Sequence, residues 1–266
     1  MKIWSENTGS WSEIVTSYVK ISVSASIMPG LNAGDTVKIS GITDSRLSSI
    51  DGYFEITAVG ENYFIIPALI ESTVSPFTSP FKVSRKMPEF DFIFECGNRL
   101  WACRCGENQD GKQVNEIYAS KLGDFKNWNS FAGISTDSYA VSLGSEGAFT
   151  GAVNYLGYPT FFRENYIHKI YGSTPSQFQL RTVNAAGVQS GCGDSIADVS
   201  GTLFYKSRTA VCAYDGSAPS PVSQKLGDAV KCDSAVGAAL GRKYYISMKY
   251  SDGSAALYVY DASRGM

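Results

Sequence analysis

The feature that most constrains this chain is an internal repeat of roughly 45 residues. Four segments share one order: an apolar strand, a Gly-containing turn, an aromatic-rich strand, then a strand ending in Tyr. The first runs from Phe92-Ile93-Phe94 through Gly97 to Trp101 and closes at Glu116-Ile117-Tyr118. The second runs from Ala152-Val153-Asn154-Tyr155 through Gly157 to Phe161-Phe162 and closes at Lys169-Ile170-Tyr171. The third runs from Ile196-Ala197-Asp198-Val199 through Gly201 to Phe204-Tyr205 and closes at Val211-Cys212-Ala213-Tyr214. The fourth runs from Val236 to Leu240, through Gly241 to Tyr244-Tyr245-Ile246, and closes at Leu257-Tyr258-Val259-Tyr260. The closing tyrosines are 53, 43 and 46 residues apart.

Several short strands within a period of roughly 40–50 residues are the mark of propeller blades. A small sheet with two apolar faces cannot hide both alone, so it stacks on its neighbours around an axis. The alternative is a β-sandwich whose turns happen to be evenly spaced. Composition agrees with an all-β chain: 16 Tyr, 14 Phe and 26 Gly stand beside only 18% charged residues. The expectation is an all-β fold, a β-propeller of about four recognisable blades over residues 86–266, complete or partial.

The two ends fall at the same point of the repeat. Residues 1–17 read as a hairpin belonging to the propeller, and its strand through Trp11 to Val15 would supply the outer strand missing after Tyr260. Residues 18–85 break the repeat and read as an inserted, barrel-like β domain of four or five strands. Tyr18-Val19-Lys20-Ile21-Ser22-Val23 alternates, Thr36-Val37-Lys38-Ile39 follows Gly34-Asp35, and Asp51-Gly52 signals a turn. Tyr63-Phe64-Ile65-Ile66 completes the set, and a Ser-, Thr- and Pro-rich loop over 71–80 leads back. Such a module either carries recognition or only stiffens an assembly.

Several function classes lose support. The formal net charge is −2, with no basic patch to grip phosphates. The most apolar run, Tyr63 to Ile70, is broken by Pro67 and too short to span a membrane. The N-terminus lacks an apolar signal core, which implies synthesis in a cytoplasm and six Cys held as thiols. Neither glycine-rich phosphate loop occurs.

The run Gly97-Asn98-Arg99-Leu100-Trp101-Ala102-Cys103, with Asn115 to Trp128, resembles uncharacterised phage and prophage structural proteins. So do Phe161 to Gly172 and Cys212-Ala213-Tyr214-Asp215-Gly216. The resemblance covers about residues 88–266. More distantly the chain is similar to propeller proteins at the neck of short-tailed phages, and Gly34 to Gly41 is similar to small β modules of phage tails. The resemblance implies a virion component without catalysis and carries no binding residues over.

Candidate chemistry is sparse. Cys103 and Cys105 would face one side of a strand near Cys96, but Cys192, Cys212 and Cys232 are scattered, so buried thiols are expected rather than a metal site. The single histidine, His168, reads as structural rather than as a general base. Asp110, Glu116, Asp124, Asp137, Glu146, Glu164, Asp194, Asp215 and Asp228 lie at loop or turn positions. A glycosidase would need two of them facing each other, whereas Asp124 and Asp215 read as turn-makers. The loop Gly106 to Gly111 is oxygen-rich but lacks an EF-hand spacing.

The expected function is therefore a structural, protein-binding adaptor of a phage or prophage tail or neck. It would sit in the virion, and in the host cytoplasm during assembly. No catalytic residue, cofactor or metal is assigned. Its partners would be other virion proteins, with a homo-oligomeric ring as one arrangement, and neither membrane nor nucleic acid is expected. The alternatives are a carbohydrate-binding module on the host surface, marked by an exposed aromatic platform, and a propeller glycosidase or lyase, marked by facing carboxylates.

Overall fold

The computed structural model describes residues 2–5, 10–13, 18–22, 31, 33–68, 81–85, 87–108, 111, 113–131 and 133–264. The chain divides into two units, residues 1–88 with 126–130, and residues 89–125 with 131–266. Strand is the dominant element, and among the described residues no sheet closes into a barrel.

In the first unit, β1 (Lys2–Ser5) and β2 (Ser10–Glu13) form a two-stranded hairpin in which Trp4 is opposite Trp11. Ile14 and Val15, the rest of the expected closing strand, lie outside the described residues. β3 (Tyr18–Ser22), β4 (Thr36–Ser40), β5 (Gly52–Glu55), β6 (Ala58–Val59), β7 (Tyr63–Pro67) and β8 (Lys82–Arg85) make two three-stranded sheets, ordered β3-β7-β6 and β5-β4-β8. Period-two alternation points Ile21, Val37, Ile39, Phe64 and Ile66 into one core, which Ile56, Leu47 and Ile50 complete. The barrel-like module of four or five strands is thus corrected to six strands in two open sheets. The strand absent from the sequence reading is β8, whose Lys-Val-Ser-Arg has one apolar residue and so no alternating signal.

The second unit is a series of antiparallel meanders. β9 (Phe92–Cys96), β10 (Arg99–Glu107), β11 (Gln113–Ala119) and β12 (Tyr139–Ser142) form the first sheet. β13 (Gly151–Tyr155), β14 (Tyr158–Phe162), β15 (Tyr166–Tyr171) and β16 (Gln179–Asn184) form the second. β17 (Ala197–Val199), β18 (Thr202–Lys206), β19 (Val211–Tyr214) and β20 (Ser220–Pro221) form the third. β21 (Ser234–Leu240), β22 (Lys243–Lys249) and β23 (Ala255–Asp261) form the fourth, which has three strands.

Each meander begins with the same two-residue hairpin loop: 97–98, 156–157, 200–201 and 241–242. In the first three, both loop residues have positive φ, as the twist of a tight hairpin requires. Asn98 (58°), Leu156 (52°) and Ser200 (56°) are the non-glycine residues with positive φ among those described. The repeat tyrosines Tyr118, Tyr171, Tyr214 and Tyr260 all lie on the third strand of their sheet. They mark the same strand of each meander, though not the same pairing position along it, and among the described residues a fourth strand follows in the first three sheets.

Successive sheets are joined through their apolar faces. Phe94 meets Phe161 with ring centroids 5.4 Å apart, and Trp101 meets Phe178 at 5.2 Å. One core cluster spans the first and second sheets, and a second runs from Phe162 and Tyr155 through Leu203 and Tyr205 to Tyr244, Ile246 and Met248. β13 lies against β9, and β21 against β17. Each fully buried Phe, Leu or Ile in this stack contributes about 1.5–3 kcal/mol.

Candidate interaction surface

The fourth sheet is two-faced. Ala235, Tyr244, Ile246 and Met248 point into the core. Residues at the alternate positions point outward, and there Val236 is 58%, Leu240 71%, Leu257 65% and Val259 48% exposed. The register runs Val236–Ser247–Leu257 and Ala238–Tyr245–Val259 across the three strands, so apolar side chains of the two outer strands share one face with Tyr245 and Ser247 between them. Lys243 and Lys249 flank it on β22. Isolated exposed apolar residues need no explanation, but four on one face of a regular sheet point to a contact surface.

The same sheet has an open edge. Ala262 N–H donates to Arg242 O (3.0 Å) and Tyr250 N–H to Ser254 O (2.9 Å), which fixes the phase of the β22–β23 ladder. Ala256, Tyr258 and Tyr260 therefore spend their main-chain groups on β22. Ala255, Leu257 and Val259 turn theirs away from it, and no strand pairs there among the described residues. An unpaired row of N–H and C=O groups beside exposed leucine and valine is a template for another strand.

The residues singled out by their chemistry lie elsewhere. All six cysteines are unbridged. Cys103 is fully buried on β10 and burial pushes its thiol far up; Cys96 is pushed up to about 11 by burial and donates to Gly157 O (3.3 Å). His168 is fully buried, with Nδ1 2.9 Å from Thr182 Oγ1 and Nε2 3.4 Å from Ser145 Oγ. Burial, reinforced by the Arg163 charge, lowers it to about 4, so the ring is neutral at pH 7 with both nitrogens engaged.

Arg163 is the hub that sequence reasoning missed. Its guanidinium donates to Ser145 O (2.6 Å) and to Asn115 Oδ1, and sits 4.4 Å from the Phe149 ring centroid. It is 1% exposed and joins the first sheet to the second. The only signal was its place directly after Phe161-Phe162. Lys169 is likewise enclosed, its ammonium 4.7 Å, 5.0 Å and 5.4 Å from the rings of Tyr158, Tyr155 and Tyr171. Those rings are taken by the chain's own cation.

Of the nine carboxylates, Glu146 and Glu164 border one cleft of about 250 Å³ with Arg163 and Tyr166. Glu146 is exposed, and Glu164 Oε1 accepts from Ser190 N (3.1 Å). Asp215 accepts both the amide (2.9 Å) and the hydroxyl of Ser217, the turn-making role its sequence suggested, and these bonds lower its pKa. Asp252 with Ser254 and Asp261 with Ser263 repeat that turn. Asp137 caps the Gly133 and Ile134 amides at 2.6 Å and 2.9 Å. Glu116 accepts from Tyr118 Oη (2.6 Å), Asp228 pairs with Lys231 (2.7 Å), and Asp194 lies in a short 3-10 turn at Gly193–Ser195. Lys121 and Asp124 form an isolated bridge. Asp110, with part of the loop from Gly106 to Gly111, lies outside the described residues.

A second hollow, of about 320 Å³, is bordered by Phe131, Ile134 and Tyr139. Tyr139 is edge-on to Phe178 at 5.1 Å, so its ring serves the core. Among the described residues, no helix is long and apolar enough to cross a membrane. No protein-family model and no curated protein matches the chain.

Proposed function

We propose that the four sheets of residues 89–266 are blades of a propeller, and that the chain is a structural adaptor of a phage or prophage tail or neck. In this reading the adaptor works in the virion, after assembly in the host cytoplasm, and does no catalysis. Its partner is an extended strand of another virion protein, added to β23. The observation that carries the reading is the outward side of the fourth sheet, where exposed apolar side chains and an unpaired main-chain edge coincide on Leu257 and Val259.

The chemistry of that edge specifies its occupant. Only another extended backbone offers donors and acceptors at strand spacing, and every second side chain of such a strand would lie beside Leu257 and Val259. The other three sheets already carry a fourth strand of their own. Support for the propeller comes from the repeated hairpin, the tyrosine on each third strand, and the contact of β13 with β9 and of β21 with β17. Support for a phage particle comes from the resemblance over residues 88–266.

The test is incorporation. Particles purified from an induced host carrying the gene should contain the chain by mass spectrometry. A Leu257→Asp, Val259→Asp variant with unchanged circular dichroism should be lost from them. Absence of the unaltered chain from particles overturns the reading, and full retention of the variant overturns the surface.

A further inference from the structure

Gln189 sits at the centre of a buried thiol and amine cluster that the adaptor role does not use. Its Nε2 donates to Cys232 O (2.7 Å), its main-chain oxygen accepts from Cys192 N (3.0 Å), and its Oε1 accepts from Lys206 Nζ (2.7 Å). The segments bearing the two cysteines run side by side: a Cβ on Gly191 would lie 3.1 Å from Asp233 O. Both cysteines belong to one buried core cluster, and each thiol bears on the other's ionisation. Cys192 is 0% and Cys232 7% exposed. Lys206 is 0% exposed, and the ionisable groups that bear on its ammonium are Cys232, Cys192 and Cys212 rather than a carboxylate.

We propose that Cys192 and Cys232 form a reversible disulfide on exposure to a hydroperoxide, with Cys232 as the attacking thiol. Cys232 is the more accessible of the two, and the Lys206 ammonium favours its thiolate. Cys232 gives up its proton and attacks the peroxide. An S–O bond forms, the O–O bond breaks, and the departing oxygen takes that proton as water or an alcohol. The Cys192 sulfur then attacks the sulfenic sulfur; its proton leaves with the hydroxyl as a second water while the S–S bond forms. Two thiols are oxidised by two electrons and one hydroperoxide is reduced. Burial pushes both thiols up, Cys192 to about 11, so the reaction is slow and needs sustained peroxide. The bridge would pin the segment leading into β17 to the segment leading into β21, fastening the fourth sheet to the third.

The test uses the full folded chain treated with hydrogen peroxide, then alkylated, digested and analysed by mass spectrometry. The expected product is one cross-linked pair holding Cys192 and Cys232, lighter by two hydrogens, reversed by dithiothreitol and accompanied by a higher Tm. Cys212→Ser should keep the cross-link, while Cys232→Ser should lose it. Six alkylatable thiols after treatment would overturn the proposal. So would a bridge to Cys212, or sulfinic acid at Cys232 without a bridge. Because the unaltered chain gives the primary readout, a variant that fails to fold does not blunt the result.

Discussion

The Tyr155 hydroxyl donates to the Gly201 carbonyl oxygen at 2.7 Å, tying the first strand of the second sheet to the hairpin loop of the third. It also lies 3.2 Å from Tyr214 O. Tyr244 does the same work one sheet later, donating to Ser195 O at 2.7 Å. Stacked sheets are thus joined by hydroxyl-to-backbone bonds as well as by rings. Tyr155→Phe keeps the ring and removes the donor to Gly201 O, so it should cost about 0.5–1.5 kcal/mol. Urea unfolding followed by Trp fluorescence checks this, and an unchanged midpoint would show that the hydroxyl bonds are idle.

Leu156 holds a φ of 52° while its side chain is 58% exposed. A left-handed conformation costs a branched residue about 1–2 kcal/mol, and asparagine tolerates it better. Leu156→Asn should therefore stabilise the chain by about 1 kcal/mol, seen as a higher Tm. A lower Tm would mean that Leu156 packs on something that outweighs its backbone strain.

His168 makes stability depend on pH in one direction. Its folded pKa, about 4, lies below the ordinary value of 6.5, so the unfolded chain binds the proton more readily. The contribution is fully present above about pH 6.5, falls as pH drops from there towards 4, and levels off below that. The full loss is about 3 kcal/mol. As His168 is the one histidine, His168→Gln should flatten the slope of unfolding free energy between pH 5 and about 6.5. An equal slope in the variant would place the dependence on other groups.

Proline scanning of β23 separates its two sides. Leu257 and Val259 turn their N–H groups to the open edge, so Leu257→Pro removes no ladder bond, though it narrows φ. Tyr258 spends its N–H on β22 and its ring on the core, so Tyr258→Pro should cost about 3 kcal/mol or more. Denaturant midpoints compare the two. If both fall equally, the ladder phase assigned to β23 is wrong. Leu257→Pro should also weaken partner capture, because a docked strand loses a donor.

The legible part of the fold was the part buried in a core. Phe161, Ile170 and Phe204 announce strands because their short apolar, aromatic-rich runs are buried on both faces, and Tyr244 because one face of its strand alternates into the core. The fourth strands were illegible for the opposite reason. Tyr139–Ser142 and Gln179–Asn184 are edge strands, and Ser220–Pro221 is too short to alternate. The exposed apolar face of the fourth sheet was hidden by its composition, since Val236-Gly237-Ala238-Ala239-Leu240 reads as a strand buried on both faces. The Arg163 hub was hidden by distance, because Asn115, Ser145 and His168 come from three separate segments that only the stacking of two sheets brings together.

The short third-sheet rim, Ser220–Pro221, contrasts with the fully buried Leu203 and Tyr205 two strands inward. Mechanical integrity and outward identity therefore reside in different layers of the same sheet. Substitutions, trimming or small insertions at the periphery can accumulate without loosening the centre, which leaves such a scaffold open to new contacts over time while its interior stays under packing constraint.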